Sequence, residues 1–102
     1  MRPFEIFNAR HEWNNCPDLR PWLIVELRVS ETVGCFPISG ECYGGNCFWI
    51  SPTHPDFPAT GLKKGCYIHD RHIVELRPHQ FLNRRGELLG DLLTTFREYS
   101  GV

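Results

Sequence analysis

Arg20-Pro21-Trp22-Leu23-Ile24-Val25-Glu26-Leu27-Arg28-Val29 is the longest run of strand-forming residues in the chain. At period two, Leu23, Val25, Leu27 and Val29 share one face, and Trp22, Ile24, Glu26 and Arg28 share the other. The second face is apolar at its start and charged at its end. This pattern predicts a strand buried on both faces at first and on the leucine–valine face later. Pro21 has no N–H to donate and fits best as the strand's first residue. Arg20 then lies just outside the apolar run, on a fixed strand, with its guanidinium free to reach a partner. A turn over Ser30 to Thr32 leads into Val33-Gly34-Cys35-Phe36-Pro37-Ile38-Ser39, a second strand that Pro37 should end or push to an edge. If the two strands pair as a hairpin, Arg20 and Ser39 meet at one end of it.

The chain has 102 residues, enough for a single domain spanning 1–102 with one modest core. No apolar run is long enough to cross a membrane. Met1-Arg2-Pro3-Phe4-Glu5 does not begin a signal peptide, so a cytoplasmic protein is expected. The net charge of −1 gives no overall drive toward nucleic acid or membrane. Its distribution is uneven, however. Residues 60–85 carry Lys63, Lys64, Arg71, Arg77, Arg84 and Arg85 against Asp70 and Glu75, which makes a local basic face. The five cysteines, Cys16, Cys35, Cys42, Cys47 and Cys66, form an odd set and read as reduced thiols. Cys42 and Cys47 have a loose zinc-ligand spacing, with Cys66, His69 and His72 as conceivable partners, but buried or idle thiols are the plainer reading.

Elsewhere the pattern is local and short. Phe4-Glu5-Ile6-Phe7 is a weak strand, and Asn8 to Leu19 reads as a loop rich in turn formers. Ser39 to Asn46 is a glycine-rich loop, and Cys47-Phe48-Trp49-Ile50 a short strand. Pro52, Pro55 and Pro58 predict an extended, stiff segment from Ser51 to Gly61. Cys66 to His69 and His72 to Leu76 read as strands, and His79 to Arg85 as a helical turn. Leu88, Leu89, Leu92, Leu93, Phe96 and Tyr99 recur at helical spacing, with Gly86 before the run and Gly101 just past it. Short strands followed by a terminal amphipathic helix make a mainly β (α+β) domain with a strongly bent sheet or barrel.

No nucleophile elbow, phosphate-binding glycine loop, zinc-protease helix or dinucleotide fingerprint is present. Five histidines are scattered, and His69 and His72, near a turn, read as surface residues. What remains is Arg20 with Ser39, close to the basic segment. Phosphoryl transfer asks for fixed positive charge and hydrogen-bond donors where phosphate charge develops, and this pair supplies both. Arg20 offers a bidentate contact to a phosphate. The plainer alternative is that Arg20 pairs with Asp18 or Glu26 and that Ser39 caps a turn.

The same residues carry a family likeness. Arg20-Pro21 opening an apolar strand, Cys35-Phe36-Pro37-Ile38-Ser39, Gly61-Leu62-Lys63-Lys64 followed by Asp70 and Ile73 to Leu76, and Gly86-Glu87-Leu88 entering the helix occur in that order. In these landmarks the chain resembles the MazF/PemK toxins of type II toxin–antitoxin systems over residues 18–99. It differs from them in lacking their opening Gly-Asp/Glu strand and in carrying Asp70-Arg71-His72 in place of Asp-Gln. The resemblance implies a small SH3-like β-barrel with a C-terminal helix, usually a homodimer. It implies a sequence-specific endoribonuclease, free of metal and cofactor, that cuts single-stranded RNA by attack of the 2′-hydroxyl and is neutralised by a cognate antitoxin. Carried over, Arg20 would stabilise the phosphorane and handle a proton, and Ser39 would stand in for the family's threonine. Trp13, Asn14, Tyr43, Lys63 and Lys64 would contact RNA. Two other classes remain open at this point: a non-catalytic SH3-like module binding protein or RNA, and a zinc-stabilised small domain.

Overall fold

The computed structural model describes residues 1–13 and 19–102. Seven antiparallel strands are followed by one helix: β1 (Glu5–Arg10), β2 (Leu19–Leu27), β3 (Val33–Ser39), β4 (Phe48–Ile50), β5 (Cys66–Ile68), β6 (Val74–Leu76), β7 (Phe81–Glu87) and α1 (Gly90–Ser100). The sheet runs β4-β5-β3-β2-β1-β7, with β6 also pairing with β3. Among the described residues this path is open, because no ladder joins β4 to β7.

The β2–β3 hairpin is the centre of the sheet. β2 buries both faces over Trp22–Val25, as its early apolar residues predict. Leu23 and Val25 enter the larger core with Phe36, Ile38, Phe48, Ile68, Leu92 and Phe96. Trp22 and Ile24 enter a second core with Val33, Cys35 and Leu76. The later half departs from expectation, since Leu27 and Val29 are exposed. Between Ile24 and Glu26 the register with β3 shifts, so that β2 carries one extra residue. Such a bulge resets the alternation and turns the strand end away from the core.

Pro37 neither ends β3 nor places it at an edge. It lies inside the strand, opposite Trp22. On its other side β3 changes partner: Val33 to Cys35 pair with β6, whereas Ile38 and Ser39 pair with β5. The N–H that proline lacks falls at this changeover, and its carbonyl still accepts from the His69 N–H at 3.0 Å.

Three other expectations are corrected. Asn8, Ala9 and Arg10 belong to β1 rather than to a loop. Residues 51–61 are not extended; successive turns from Ser51 to Thr60 end in a 3-10 turn over Pro58–Thr60. Only Pro78–Gln80 forms a helical turn, and Phe81–Glu87 is a strand paired with β1. The pairing overrides a polar sequence with no alternation, and two register shifts accommodate it.

The helix buries Leu92 and Phe96 and ends at Gly101, whose φ of 75° closes the last turn onto the Arg97 carbonyl. Its first turn is capped from outside, where the Asp56 carboxylate accepts from the Leu92 N–H at 3.3 Å.

β1 is tied to β7 by a pair with a pH signature. The Glu5 carboxylate accepts from Arg84 Nε at 2.5 Å and from the Arg2 N–H at 2.6 Å. The Arg84 hydrogen bond, against the opposing effect of burial, holds the Glu5 carboxyl below its usual range. A depressed folded pKa contributes stability that is complete at neutral pH and is lost as pH falls through that pKa. Glu5→Gln should therefore lower the urea midpoint at about pH 7 and flatten its decline toward about pH 3. Parallel curves for the two proteins would contradict this.

Candidate functional site

The hairpin register aligns Trp22 with Pro37 and Leu23 with Phe36. Continued toward the strand end, it places Arg20 level with Ser39. Both line a cavity of about 360 Å³, together with Lys63, Lys64, Cys66 and Arg85. Among the described residues, no aspartate or glutamate lines it.

Each cation arrives by a different route. Arg20 stands near the start of β2, with its guanidinium 5.2 Å from the centre of the Trp13 ring. That distance suits a cation–π contact. Arg20 Nε is buried and has no hydrogen-bond partner among the described residues. Glu26, a conceivable partner, pairs instead with Arg28 at 2.8 Å. Asp18, the other, lies outside the described residues, as does Asn14. Lys63 and Lys64 are exposed on the segment between the 3-10 turn and β5.

Arg85 was visible in the sequence only as one charge of a basic segment. Its Nε and Nη2 donate to the Gly61 carbonyl at 3.1 and 2.8 Å, and its Nη1 donates to Asn8 Oδ1 at 3.2 Å. Three of its five N–H groups are thus committed to holding it at the cavity wall. Its place depends on β7 pairing with β1, which the sequence did not signal.

Ser39 does serve its turn: its hydroxyl donates to the Glu41 carbonyl at 2.6 Å and accepts from the Glu41 N–H at 3.3 Å. It also contacts His69 Nε2 at 2.9 Å. His69 is therefore not a surface residue but is only 6% exposed. Its Nε2 also lies 3.0 Å from the Glu41 carbonyl, and its Nδ1 is 3.4 Å from Cys47 Sγ. Burial lowers the His69 pKa, the Glu41 carbonyl opposes that, and Arg20 adds to the lowering. Trp13 and Tyr43 pack on the same ring, with Trp13 at 4.5 Å and Tyr43 stacked at 5.7 Å. A smaller cavity of about 110 Å³ opens beside them, lined also by Pro37, Arg71 and His72.

Cys42 and Cys47 are joined in a disulfide, which corrects the expectation of reduced thiols there. Joined sulfurs are not thiolate ligands, so the zinc reading loses this pair. Cys66 is free and buried, and burial pushes its thiol pKa up despite Lys64 and Arg85 nearby. Such a thiol stays protonated at neutral pH and supplies no nucleophile to the cavity. Cys35 is likewise pushed up, to about 12.

The disulfide closes a loop with a sequence separation of only 5. Chain entropy for so short a loop amounts to about 2 kcal/mol. Cys42→Ser should thus lose up to about 2 kcal/mol in urea unfolding. The intact mass of the wild-type protein should be that of a chain lacking two thiol hydrogens; the fully reduced mass would refute the bond.

No protein-family model matches the chain, and no characterised protein matches it in sequence.

Proposed function

We propose that the protein is an endoribonuclease of the MazF/PemK type that cuts single-stranded RNA without a metal ion. The observation that carries this reading is the cavity in which Arg20, Ser39, Lys63, Lys64 and Arg85 converge with no lining carboxylate among the described residues. Four cations and a hydroxyl suit a phosphodiester. The bent sheet with its C-terminal helix we read as an SH3-like barrel left open between β4 and β7.

In the reaction, the ribose 2′-oxygen forms a bond to the adjacent phosphorus and gives up its proton. The bond from phosphorus to the 5′-oxygen breaks, and that oxygen takes a proton. The products are a 2′,3′-cyclic phosphate and a 5′-hydroxyl. The protein's task is chiefly to hold the phosphate and offset charge on its non-bridging oxygens as the phosphorane forms. Arg20 is suited to this because it sits on a central strand, lines the cavity and has no ion-pair partner among the described residues. Ser39 supplies a hydrogen bond beside it, Arg85 a fixed charge in the same lining, and Lys63 and Lys64 contacts to flanking phosphates. Trp13 and Tyr43, which line the smaller cavity with His69, would border the RNA path and offer rings to a base, and Asn14, next to Trp13 in the chain, would border it too.

A cognate antitoxin fits the same surface. An acidic segment that orders on binding would neutralise the cavity and cover it. A homodimer acting in the cytoplasm completes the proposal.

The test is incubation of the pure protein with a long unstructured RNA in EDTA. Discrete cuts bearing 5′-hydroxyl ends are expected. Intact RNA across several sequences, with folded protein, would reject the nuclease and leave a binding module.

A further inference from the structure

We infer that His69 is a positioning residue for the Ser39 hydroxyl, releasing it from its own turn to hydrogen-bond the scissile phosphate. This rests on reading the cavity as an RNA-cleaving site.

The argument begins with the Glu41 carbonyl. It lies 2.6 Å from Ser39 Oγ and 3.0 Å from His69 Nε2. The Ser39 proton is directed at that carbonyl. For Ser39 to donate to a phosphate oxygen, its O–H must rotate off Glu41. The carbonyl of Glu41, an exposed residue, then needs another donor to replace it. The His69 Nε2–H is in place to do so. It also faces Ser39 Oγ at 2.9 Å and can donate to the hydroxyl oxygen while the hydroxyl proton points at phosphate.

This role requires the tautomer with hydrogen on Nε2. The surroundings favour it. Nδ1 faces a disulfide sulfur, a poor acceptor, whereas Nε2 faces a carbonyl. The stacked Tyr43 and the Trp13 edge hold the ring plane. Among the described residues, the charged and titratable groups around the ring are Arg20 from β2, Asp70 beside it in the chain, Arg71 and His72 following β5, and Tyr43 from the β3–β4 loop. Protonating His69 would add hydrogen at Nδ1 and leave Nε2–H unchanged. The positioning hydrogen bond therefore survives the titration of its own donor.

That property separates positioning from proton transfer. Glutamine at this site supplies a side-chain N–H near the place of Nε2 but cannot exchange a proton near neutral pH. His69→Leu should lower kcat by about 10-fold to 100-fold with KM within about twofold, because one hydrogen bond to the reacting group's partner is lost. His69→Gln should restore most of that loss and keep the wild-type shape of the pH–rate profile. Thermal melts of both variants check the fold. In the wild-type protein, long-range proton–nitrogen NMR should show the neutral His69 ring with hydrogen on Nε2.

Wild-type turnover in His69→Leu would overturn the inference. A His69→Gln as inactive as His69→Leu, with one limb of the profile missing, would do the same, because His69 would then carry the proton itself. A neutral Nδ1–H tautomer in an active protein would overturn the positioning role alone. A wild-type protein that cuts no RNA would bring down the nuclease reading, and this inference with it.

Discussion

Arg20→Ala should lower RNA cleavage by about 10²-fold to 10³-fold, the usual cost of removing one preorganised donor from a developing oxyanion. The fold should survive. Arg20 contributes a cation–π contact to Trp13, worth about 1 kcal/mol, and its removal also takes away a buried Nε that has no partner among the described residues. These effects oppose each other, so urea unfolding should change little while turnover collapses. Arg20→Lys should recover only part of the rate, because an ammonium offers a point charge in place of a planar fork. A secondary effect is also expected. Arg20 contributes to the lowered pKa of His69, so the imidazole should titrate closer to its ordinary value in Arg20→Ala. NMR titration reads this without any RNA. Undiminished cleavage by a folded Arg20→Ala would remove Arg20 from the chemistry.

Gly86→Ala should be among the most damaging small substitutions in the chain, with a loss exceeding about 3 kcal/mol or failure to fold. A Cβ at Gly86 would stand 2.2 Å from the Ala59 carbonyl oxygen and 2.4 Å from the Thr60 carbonyl carbon. These are backbone atoms and cannot rotate away. Gly61 faces the reverse problem: its Cβ would lie 2.0 Å from the Arg85 carbonyl oxygen, and its φ of +69° already disfavours a side chain. The two glycines let the segment around residue 60 lie directly on β7. The contact matters to the cavity, because Arg85 bonds the Gly61 carbonyl and Lys63 and Lys64 follow at once. Gly45→Ala is the control. Its φ is +91°, but nothing lies within 4 Å of a Cβ there, so only the backbone preference of about 1 kcal/mol is lost. Urea midpoints for the three variants check the order. Equal losses at Gly45 and Gly86 would show that the close approach does not exist.

The parts of this protein legible in its sequence are those whose pattern is local. Val33 to Ser39 forms β3 with the expected limits, because an apolar run between a turn and a glycine loop has one easy solution. The helix end follows from Leu92, Phe96 and the Gly101 stop, but its start does not: Gly86 lies in β7, and Leu88 and Leu89 precede the helix, which begins at Gly90. Arg20 reaches the level of Ser39 because hairpin pairing turns a sequence interval into a spatial contact. The remainder was settled by pairings between distant segments. β7 is a strand because β1 offers it a ladder, not because Phe81-Leu82-Asn83-Arg84-Arg85 alternates. Pro37 is tolerated in a central strand because β3 exchanges one partner for another beside it. Arg85 enters the cavity wall through Gly61 and Asn8, far from it in sequence. His69 is buried because Trp13, Ser39, Tyr43 and Cys47 close over it from three other parts of the chain. Periodicity records which face of an element is apolar; it carries no record of which distant backbone or side chain that face will meet. The pairing of the hairpin and the apolar face and end of the helix were therefore determined by sequence alone, and the bulge in β2, the helix start and the composition of the cavity by tertiary contact.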